Sequence, residues 1–282
     1  MPELPEVETI SRGVNECVRG DRIVEVWFSR YSQPFTTHAA RQARGLEGRV
    51  IQAVHRTGKH IVCELGSSAG RTVSERKIKP ASQWIVHLGM TGRLLVTTPE
   101  APVAPHTHAR LSLASGRELR FVDPRRFGRL EYRDLSVRAG FCASGADPLK
   151  VKAEEFAQLF RGRKLAIKAA LLNQKLLSGV GNIYADESLF RAGIRPRRQS
   201  GRLTRAELEG LRVALRKVLK HAVRLGGSSV SDYVDAEGVR GFFQLEHRVY
   251  QRTGLPCHRC QTPIRRILVA GRGTHYCPHC QR

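Results

Sequence analysis

The sequence predicts an α+β protein with a β-rich N-terminal part, a helical middle part and a short tail that carries paired cysteines. Three observations support this prediction. Strand-like segments bounded by turn residues fill the chain up to about residue 150, helical periodicity follows them, and two CxxC pairs stand near the C-terminus. The predicted domains are residues 1–150, 151–245 and 246–282, and a chain of 282 residues suffices for domains that each bury a core.

The N-terminal part begins with a predicted helix, because apolar residues recur there every three to four positions: Val7, Ile10, Val14 and Val18. Two β-hairpins are predicted after this helix, with strands at residues 49–54 and 60–65, and at residues 108–113 and 118–122. Thr57 and Gly58 lie at the first turn, and Ser115 and Gly116 lie at the second. Residues 66–82 are polar, so we expect them to form an excursion on the surface.

Four helices are predicted in the middle part. The first two are marked by the apolar residues Phe156, Leu159, Phe160, Ile167, Leu171 and Leu172. The third covers residues 183–192 and follows the GVGN segment at residues 179–182, whose glycines let the backbone approach a ligand at a helix start that can bind phosphate. Such a turn can also do no more than join two helices. The fourth helix begins with a capping box of Thr204 and Glu207 and ends at the glycines 226–227.

The charge of the chain indicates a polyanionic partner. Its formal net charge is +23, and residues 160–282 hold 24 basic and 8 acidic side chains, a balance of +16. Nucleic acid is the polyanion that this asymmetry favours, although a basic protein with no such partner remains the alternative. No apolar run reaches the roughly 18–20 residues of a membrane span. Residues 1–6 are acidic and proline-bearing, unlike a signal peptide, so we expect a cytoplasmic protein.

The paired cysteines predict a structural zinc site. Two CxxC pairs are separated by sixteen residues: Cys257, Cys260, Cys277 and Cys280. Two such pairs can share one tetrahedral Zn²⁺ ion and leave no open position for catalysis. Two disulfides are the alternative, but the odd total of seven cysteines fits a reducing compartment better. Gly271 allows a tight hairpin between the pairs and places Arg272 on it, where an arginine can bind a phosphate.

Four separated segments occur together and in order: residues 1–9 (MPELPEVET), residues 123–128 (DPRRFG), residues 179–187 (GVGNIYADE) and the four-cysteine ribbon. With these segments the chain resembles the formamidopyrimidine-DNA glycosylase family over nearly its whole length. The resemblance implies an N-terminal two-sheet β-sandwich with a flanking helix, then a helical domain with a helix-two-turn-helix element, and a Cys₄ zinc ribbon. It also implies a monomer that acts on damaged double-stranded DNA.

The resemblance further implies a bifunctional glycosylase and abasic-site lyase that removes oxidised purines and then cuts the strand by β,δ-elimination. Removal of Met1 would leave a secondary amine on Pro2, which attacks the sugar and forms a Schiff base. In the family, Glu3 is the general acid on the sugar ring oxygen. Lys59 matches the lysine that assists β-elimination and grips a phosphate, and Arg272 matches the ribbon arginine of phosphate binding and the second elimination.

Further positions match DNA contacts of the family: His106, Arg125, Arg163 and Asn182. The damaged base must leave the duplex to be reached. Met90, Arg125 and Phe127 match the residues that fill the resulting gap, although a methionine in this setting is more often part of a core. Residues 226–243 are rich in glycine, and in the family this loop touches the oxidised purine.

Two other functions stay open at the level of sequence. The first is an enzyme like endonuclease VIII, which acts on oxidised pyrimidines with the same fold and proline chemistry; the ELPE segment at residues 3–6 favours the purine enzyme. The second is a non-catalytic DNA-binding protein with a zinc ribbon. Such a protein would not need Pro2, Glu3 and Lys59 together, and all three are present.

Overall fold

The computed structural model describes residues 1–31, 34–67, 80–230 and 233–282, which form two compact units. The first unit comprises Met1–Pro2, Glu6–Cys142 and Ser229–Gly241. The second unit comprises Glu3–Pro5, Ala143–Ser228 and Phe242–Arg282. The domain boundaries predicted after residues 150 and 245 remain predictions.

The first unit contains two four-stranded antiparallel sheets. One has the strand order β1-β6-β7-β5, with β1 at Ile23–Phe28, β5 at Arg93–Thr97, β6 at Thr107–Leu113 and β7 at Glu118–Val122. The other has the order β2-β3-β4-β8, with β2 at Val50–Thr57, β3 at His60–Gly66, β4 at Ser82–His87 and β8 at Arg129–Asp134. The described residues of this unit also include helix α2 at Ala39–Leu46 and, from Glu6 onward, helix α1 at Leu4–Val18.

Apolar residues of both sheets and of α1 form one core. The predicted apolar face of α1 is confirmed, since Val7, Ile10, Val14 and Val18 are all buried in this cluster. Strand β2 runs further than the sequence predicted, because Thr57 still pairs with His60. The turn of the hairpin therefore consists of Gly58 and Lys59, and Gly58 takes the positive φ of +63° that glycine tolerates best.

The second unit contains four helices and one hairpin. Its helices are α3 at Ala153–Phe160, α4 at Ile167–Leu172, α5 at Asn182–Ala192 and α6 at Arg205–Arg224, and its strands are β9 at Arg265–Val269 and β10 at Arg272–Tyr276. Two short 3₁₀ helices cover Ser200–Arg202 and Phe243–Glu246. The predicted capping box is confirmed: the Glu207 N–H donates to Thr204 Oγ1 at 3.2 Å, and the Thr204 N–H donates to Glu207 Oε2 at 2.8 Å.

These elements confirm the predicted α+β class, with two antiparallel sheets followed by a helical part and a cysteine-bearing hairpin. The predicted excursion at residues 66–82 lies mostly outside the described residues: Gly66 ends β3 and Ser82 begins β4, and residues 68–79 are not among them. Residues 231–232 of the glycine-rich loop also lie outside. None of the described helices combines the length and the apolar character that crossing a bilayer demands.

Candidate functional site

The carboxylate of Glu3 lies at the start of α5. Its oxygens accept the backbone N–H groups of Ile183 at 3.1 Å and of Tyr184 at 3.4 Å. Both N–H groups belong to the first turn of the helix, where they have no partner within the helix itself, and the positive end of the helix dipole favours a negative group there. The sequence predicted that this helix start can bind a phosphate. In the structure it binds the side chain of Glu3.

Only a glycine fits at residue 181 beside this carboxylate. A Cβ atom on Gly181 would lie 2.2 Å from Glu3 Cδ and 2.4 Å from Glu3 Oε1, which is far below van der Waals contact. The neighbouring backbone is fixed as well, since the Leu4 N–H donates to the Gly179 carbonyl at 2.9 Å. The two glycines of the GVGN segment thus allow the close approach of Glu3 to α5.

The β9–β10 hairpin holds Arg272 at its tight end. Val269 pairs with Arg272, so Ala270 and Gly271 form a two-residue turn, and both have positive φ, at +48° and +71°. Positive φ at both central residues is the signature of a type I′ turn, the turn that best matches the twist of two antiparallel strands. Arg272 is therefore the first residue of β10, directly after this tight turn.

Two side chains from the helices hold the residue after Arg272. The Gly273 carbonyl accepts Asn182 Nδ2 at 3.0 Å and Lys168 Nζ at 3.0 Å. Lys168 Nζ also lies 2.7 Å from Asp186 Oδ1, and both side chains are completely buried. Asp186 in turn accepts the backbone N–H of His275 at 2.8 Å. The first turn of α4, helix α5 and the hairpin are thus joined by one polar network.

Burial lowers the pKa of Lys168 from its ordinary value, and the neighbouring Asp186 carboxylate opposes that shift. A buried ammonium needs both an opposite charge and hydrogen bonds, and Lys168 has both. Removing either partner would leave an uncompensated charge in the interior, which costs about 3–5 kcal/mol. The sequence analysis did not assign Lys168 or Asp186 a role, because a charge pair 18 residues apart gives no periodic signal.

The four predicted zinc ligands lie together. Their Sγ atoms all lie within 4.8 Å of one another, with 3.4 Å between Cys260 and Cys277 and 3.9 Å between Cys257 and Cys280. A tetrahedral Zn²⁺ ion with Zn–S bonds of about 2.3 Å requires sulfurs about 3.8 Å apart, whereas a disulfide requires about 2.05 Å. The donor set fits a structural Zn²⁺ ion, and the disulfide alternative is wrong.

In the first unit, Met90, Arg125 and Phe127 share one pair of loops. Asp123 joins these loops: its Oδ1 accepts the Thr91 hydroxyl at 2.6 Å and the Arg125 N–H at 3.3 Å, and its Oδ2 accepts the Gly128 N–H at 2.7 Å. The Arg125 guanidinium lies over the Phe127 ring, with Cζ 4.7 Å from the centroid. The Met90 and Phe127 side chains remain 43% and 49% exposed.

Lys59 occupies the β2–β3 turn and is largely buried, with 8% of its surface exposed. The rings of His60 and His87 lie 4.8 Å apart on the adjoining strands. Burial, together with the nearby His60 and Lys59, lowers the pKa of His87 to about 4, and burial also lowers the pKa of His60. Both imidazoles are therefore neutral near pH 7, and the basic side chains at this turn are Lys59 and Arg56, whose Nη1 donates to the Gly58 carbonyl at 3.2 Å.

Comparison with known proteins identifies the family. Sequence models described as the formamidopyrimidine-DNA glycosylase N-terminal domain, its H2TH domain and a zinc finger found in FPG and IleRS match residues 1–130, 145–234 and 254–282. A formamidopyrimidine-DNA glycosylase of Solibacter usitatus is 44% identical over 282 residues, which is the full length of both chains. The chain belongs to the formamidopyrimidine-DNA glycosylase family.

Solved structures of this glycosylase family agree. The MutM (Fpg) protein of Thermus thermophilus is 40% identical, with a TM-score of 0.83 and coverage of 99% of this chain and 98% of that one. A Lactococcus lactis FPG mutant, solved with DNA containing Fapy-dG, is 33% identical, with a TM-score of 0.86 and full coverage of both chains. As a member of the family, the protein is a DNA glycosylase with abasic-site lyase activity.

The remaining candidate positions of this glycosylase lie on turns. His106 has a positive φ of +64°, and its carbonyl accepts the Asp123 N–H at 3.0 Å, so it adjoins the loops of Met90 and Arg125. Arg163 follows Gly162, whose φ is +68°, and Arg163 Nε donates to the Leu159 carbonyl at 2.6 Å. The sequence analysis did not assign Asp123 a role, although it begins the DPRRFG segment.

Proposed function

We propose that this glycosylase removes oxidised purines, namely 8-oxoguanine and formamidopyrimidines, from damaged double-stranded DNA, and then cleaves the strand by β,δ-elimination. The nucleophile is the amine of Pro2, exposed by removal of Met1. One observation carries the proposed chemistry: the residue that follows Pro2 is Glu3, and its carboxylate is fixed by the first turn of α5. The choice of an oxidised purine as substrate is supported by the relatives, among them the Lactococcus lactis FPG mutant solved with DNA containing Fapy-dG. An enzyme of bacterial chromosomal DNA works in the cytoplasm, which is the location that we propose.

In the proposed reaction the neutral secondary amine of Pro2 forms a bond to the sugar C1′, and the bond from C1′ to the base breaks. The base leaves with a proton. Opening of the C1′–O4′ bond then converts the adduct into an iminium on the Pro2 nitrogen. The iminium accepts electrons as a proton leaves C2′ and the 3′-phosphate departs, and a second elimination releases the 5′-phosphate.

We propose that Glu3 donates a proton to the sugar ring oxygen, O4′. Proton transfer to O4′ requires a carboxyl group held within hydrogen-bond reach of that atom. The two N–H donors from α5 and the tight fit against Gly181 restrict the Glu3 side chain to one orientation. Burial to 4% exposure excludes competing water from its surroundings. The fixed position supports this role, because the two N–H donors stabilise the carboxylate that remains after the proton has passed to O4′.

We propose that Lys59 and Arg272 both bind phosphates. Lys59 also assists the β-elimination, and Arg272 assists the second elimination. Lys59 lies in the β2–β3 turn, next to His60 and close to His87, as described above. Arg272 sits at the end of a hairpin that is anchored by Lys168 and Asn182, and a guanidinium on a rigid support suits a phosphate oxygen. We propose that Asn182, Arg163 and His106 add further phosphate contacts.

A base within a duplex can be attacked only after it leaves the helix, and the gap must then be filled. We propose that Met90, Arg125 and Phe127 fill it. Their placement supports this role, because Met90 and Phe127 are half-exposed apolar residues on two linked loops and the Arg125 guanidinium lies over the Phe127 ring. Asp123 fixes both supporting loops through three hydrogen bonds.

Replacing Gly181 by alanine is expected to lower the excision rate about 10- to 100-fold, since a displacement of about 1 Å in a catalytic group can cost that much. The added Cβ must push the Glu3 carboxyl group from its place. Single-turnover kinetics on an 8-oxoguanine duplex measure the rate, and a binding titration checks that DNA affinity is kept. Gly210→Ala is the matched control, because a Cβ there meets nothing within 4 Å. Wild-type excision by the Gly181 variant would refute the role of Glu3.

Borohydride trapping tests the substrate and the chemistry together, because hydride reduces the iminium to a stable amine that links protein and DNA. We expect an 8-oxoguanine duplex to trap at least about tenfold faster than a duplex with an oxidised pyrimidine, and undamaged DNA not to trap. Faster trapping of the pyrimidine duplex would assign the protein an activity like that of endonuclease VIII. Absence of any covalent product would favour the non-catalytic alternative.

A further inference from the structure

A basic cavity lies at the C-terminal end of α5, in the second unit. Its volume is about 540 Å³, and it is lined by residues of α5, of α6 and of the segments at residues 246–248 and 258–259. Four cations line it: Arg191, Lys217, Arg248 and Arg259. Such a concentration of positive charge around one small volume has an electrostatic cost unless an anion offsets it.

Arg191 lacks the partner that its helix position would normally supply. Glu187 stands one helical turn earlier, but its carboxylate is completely buried and accepts the backbone N–H groups of residues 248–250 at 2.9–3.0 Å. Arg191 Nε is itself buried and has no hydrogen-bond partner among the described residues. A buried donor without a partner is unfavourable, so an acceptor supplied by a ligand would stabilise the guanidinium in this position.

The other charges around the cavity do not neutralise it. Glu246 is the one carboxylate among the described lining residues, and it already lies 3.6 Å from Arg248 and 3.9 Å from His221. Arg259 is held over the Phe190 ring, with Cζ 4.6 Å from the centroid, and it donates to the Phe190 carbonyl. The cavity therefore holds an excess of positive charge, and Arg259 is held in place beside it.

The pKa of Arg191 reflects this environment. Burial lowers it, and the nearby Arg248 and Arg259 lower it further, against the opposing effect of Glu187. The protonated form of Arg191 is therefore less stable in the cavity than in water. A bound anion would stabilise that form.

We propose that this cavity is an oxyanion site that binds a phosphate-bearing ligand carrying several negative charges. The planar fork of a guanidinium matches phosphate oxygens, and three such forks with a lysine suit a polyphosphate or a phosphodiester better than a single carboxylate. The site is separate from the one at Glu3, because α5 extends for 11 residues, about 16 Å, between Asn182 and the cavity.

Titration calorimetry of the zinc-loaded protein with tripolyphosphate at low salt tests the proposal. The Arg191→Gln and Arg259→Gln variants are each expected to bind about tenfold or more weakly, since a hydrogen bond to a charged group contributes about 1.5–3 kcal/mol. Lys220→Gln is the matched control: it removes one exposed charge of α6 that does not line the cavity, and we expect affinity within about twofold of wild type.

Thermal unfolding measured without ligand shows whether a variant that binds tripolyphosphate more weakly is still folded. Arg191→Gln is expected to unfold at or above the wild-type temperature, because it removes a buried charge whose Nε has no hydrogen-bond partner among the described residues. Wild-type affinity for tripolyphosphate in both arginine variants would overturn the proposal, as would a loss of the same size in Lys220→Gln. Tighter binding of an aspartate-rich peptide than of tripolyphosphate would also overturn it and assign the cavity to an acidic protein segment.

A second titration distinguishes a free polyphosphate from a phosphodiester of DNA. If DNA supplies the phosphate, both arginine variants bind an undamaged duplex more weakly and with a shallower dependence on salt than Lys220→Gln does. If the ligand is a free polyphosphate, the duplex affinities of the variants match that of Lys220→Gln while their tripolyphosphate affinities fall. Either result supports the proposed site and identifies whether its ligand is DNA or a free polyphosphate.

Discussion

A protein that keeps Met1 is expected to lose excision of 8-oxoguanine, and one that carries Pro2→Gly is expected to be slowed. Retained Met1 converts the nucleophilic amine into an amide, and we expect the rate to fall on the order of 10³-fold or more, as happens when a covalent nucleophile is removed. Glycine offers a primary amine in place of the secondary one, so we expect slower trapping rather than complete loss. Mass spectrometry of the intact protein establishes which N-terminus is present before each assay.

Binding to a duplex with an abasic-site analogue serves as the control for both proteins. The affinity should stay close to wild type, because the DNA contacts proposed here come from other residues. Pro5→Ala tests whether the loss of any proline near the N-terminus has the same effect, and it should leave trapping intact. Full-speed excision by a protein shown to keep Met1 would rule out the proposed nucleophile.

Loss of zinc is expected to weaken DNA binding by about tenfold or more and to unfold the β9–β10 hairpin. A two-stranded hairpin is marginal on its own, and a structural zinc ion contributes folding free energy directly. Without the ion Arg272 loses its fixed position, and a charge-assisted contact of about 1.5–3 kcal/mol goes with it. Cys277→Ser, with zinc measured by elemental analysis and DNA affinity by fluorescence anisotropy, makes the test.

Cys142→Ser is the matched control for that substitution. Cys142 is exposed and lies outside the four-cysteine cluster, so its removal should change neither zinc content nor affinity. Chelation of zinc from the wild-type protein should reproduce the effect of Cys277→Ser. Unchanged DNA affinity in a preparation verified to be free of zinc would show that Arg272 does not depend on the metal.

Much of the fold could be predicted from signals between residues close in sequence. The apolar face of α1 and the capping box of α6 depend on residues three or four positions apart, and both predictions are confirmed. The zinc site could also be predicted in this way, because each CxxC pair supplies two of the four ligands from residues close in sequence. The β2–β3 turn was less well placed, since Thr57 at the predicted turn still has a strong preference for strand and stays paired with His60.

The sequence by itself determined the α+β class, the helices with their caps, the zinc ligands and the identity of the family. Only the tertiary structure decided that Glu3 meets the start of α5, that Lys168 pairs with Asp186 beneath the hairpin of Arg272, and that Asp123 joins the loops of Met90 and Phe127. The physical reason is distance along the chain. Helices, caps and CxxC turns follow from local geometry, whereas a buried charge or carboxylate finds its partner only once distant segments have packed together.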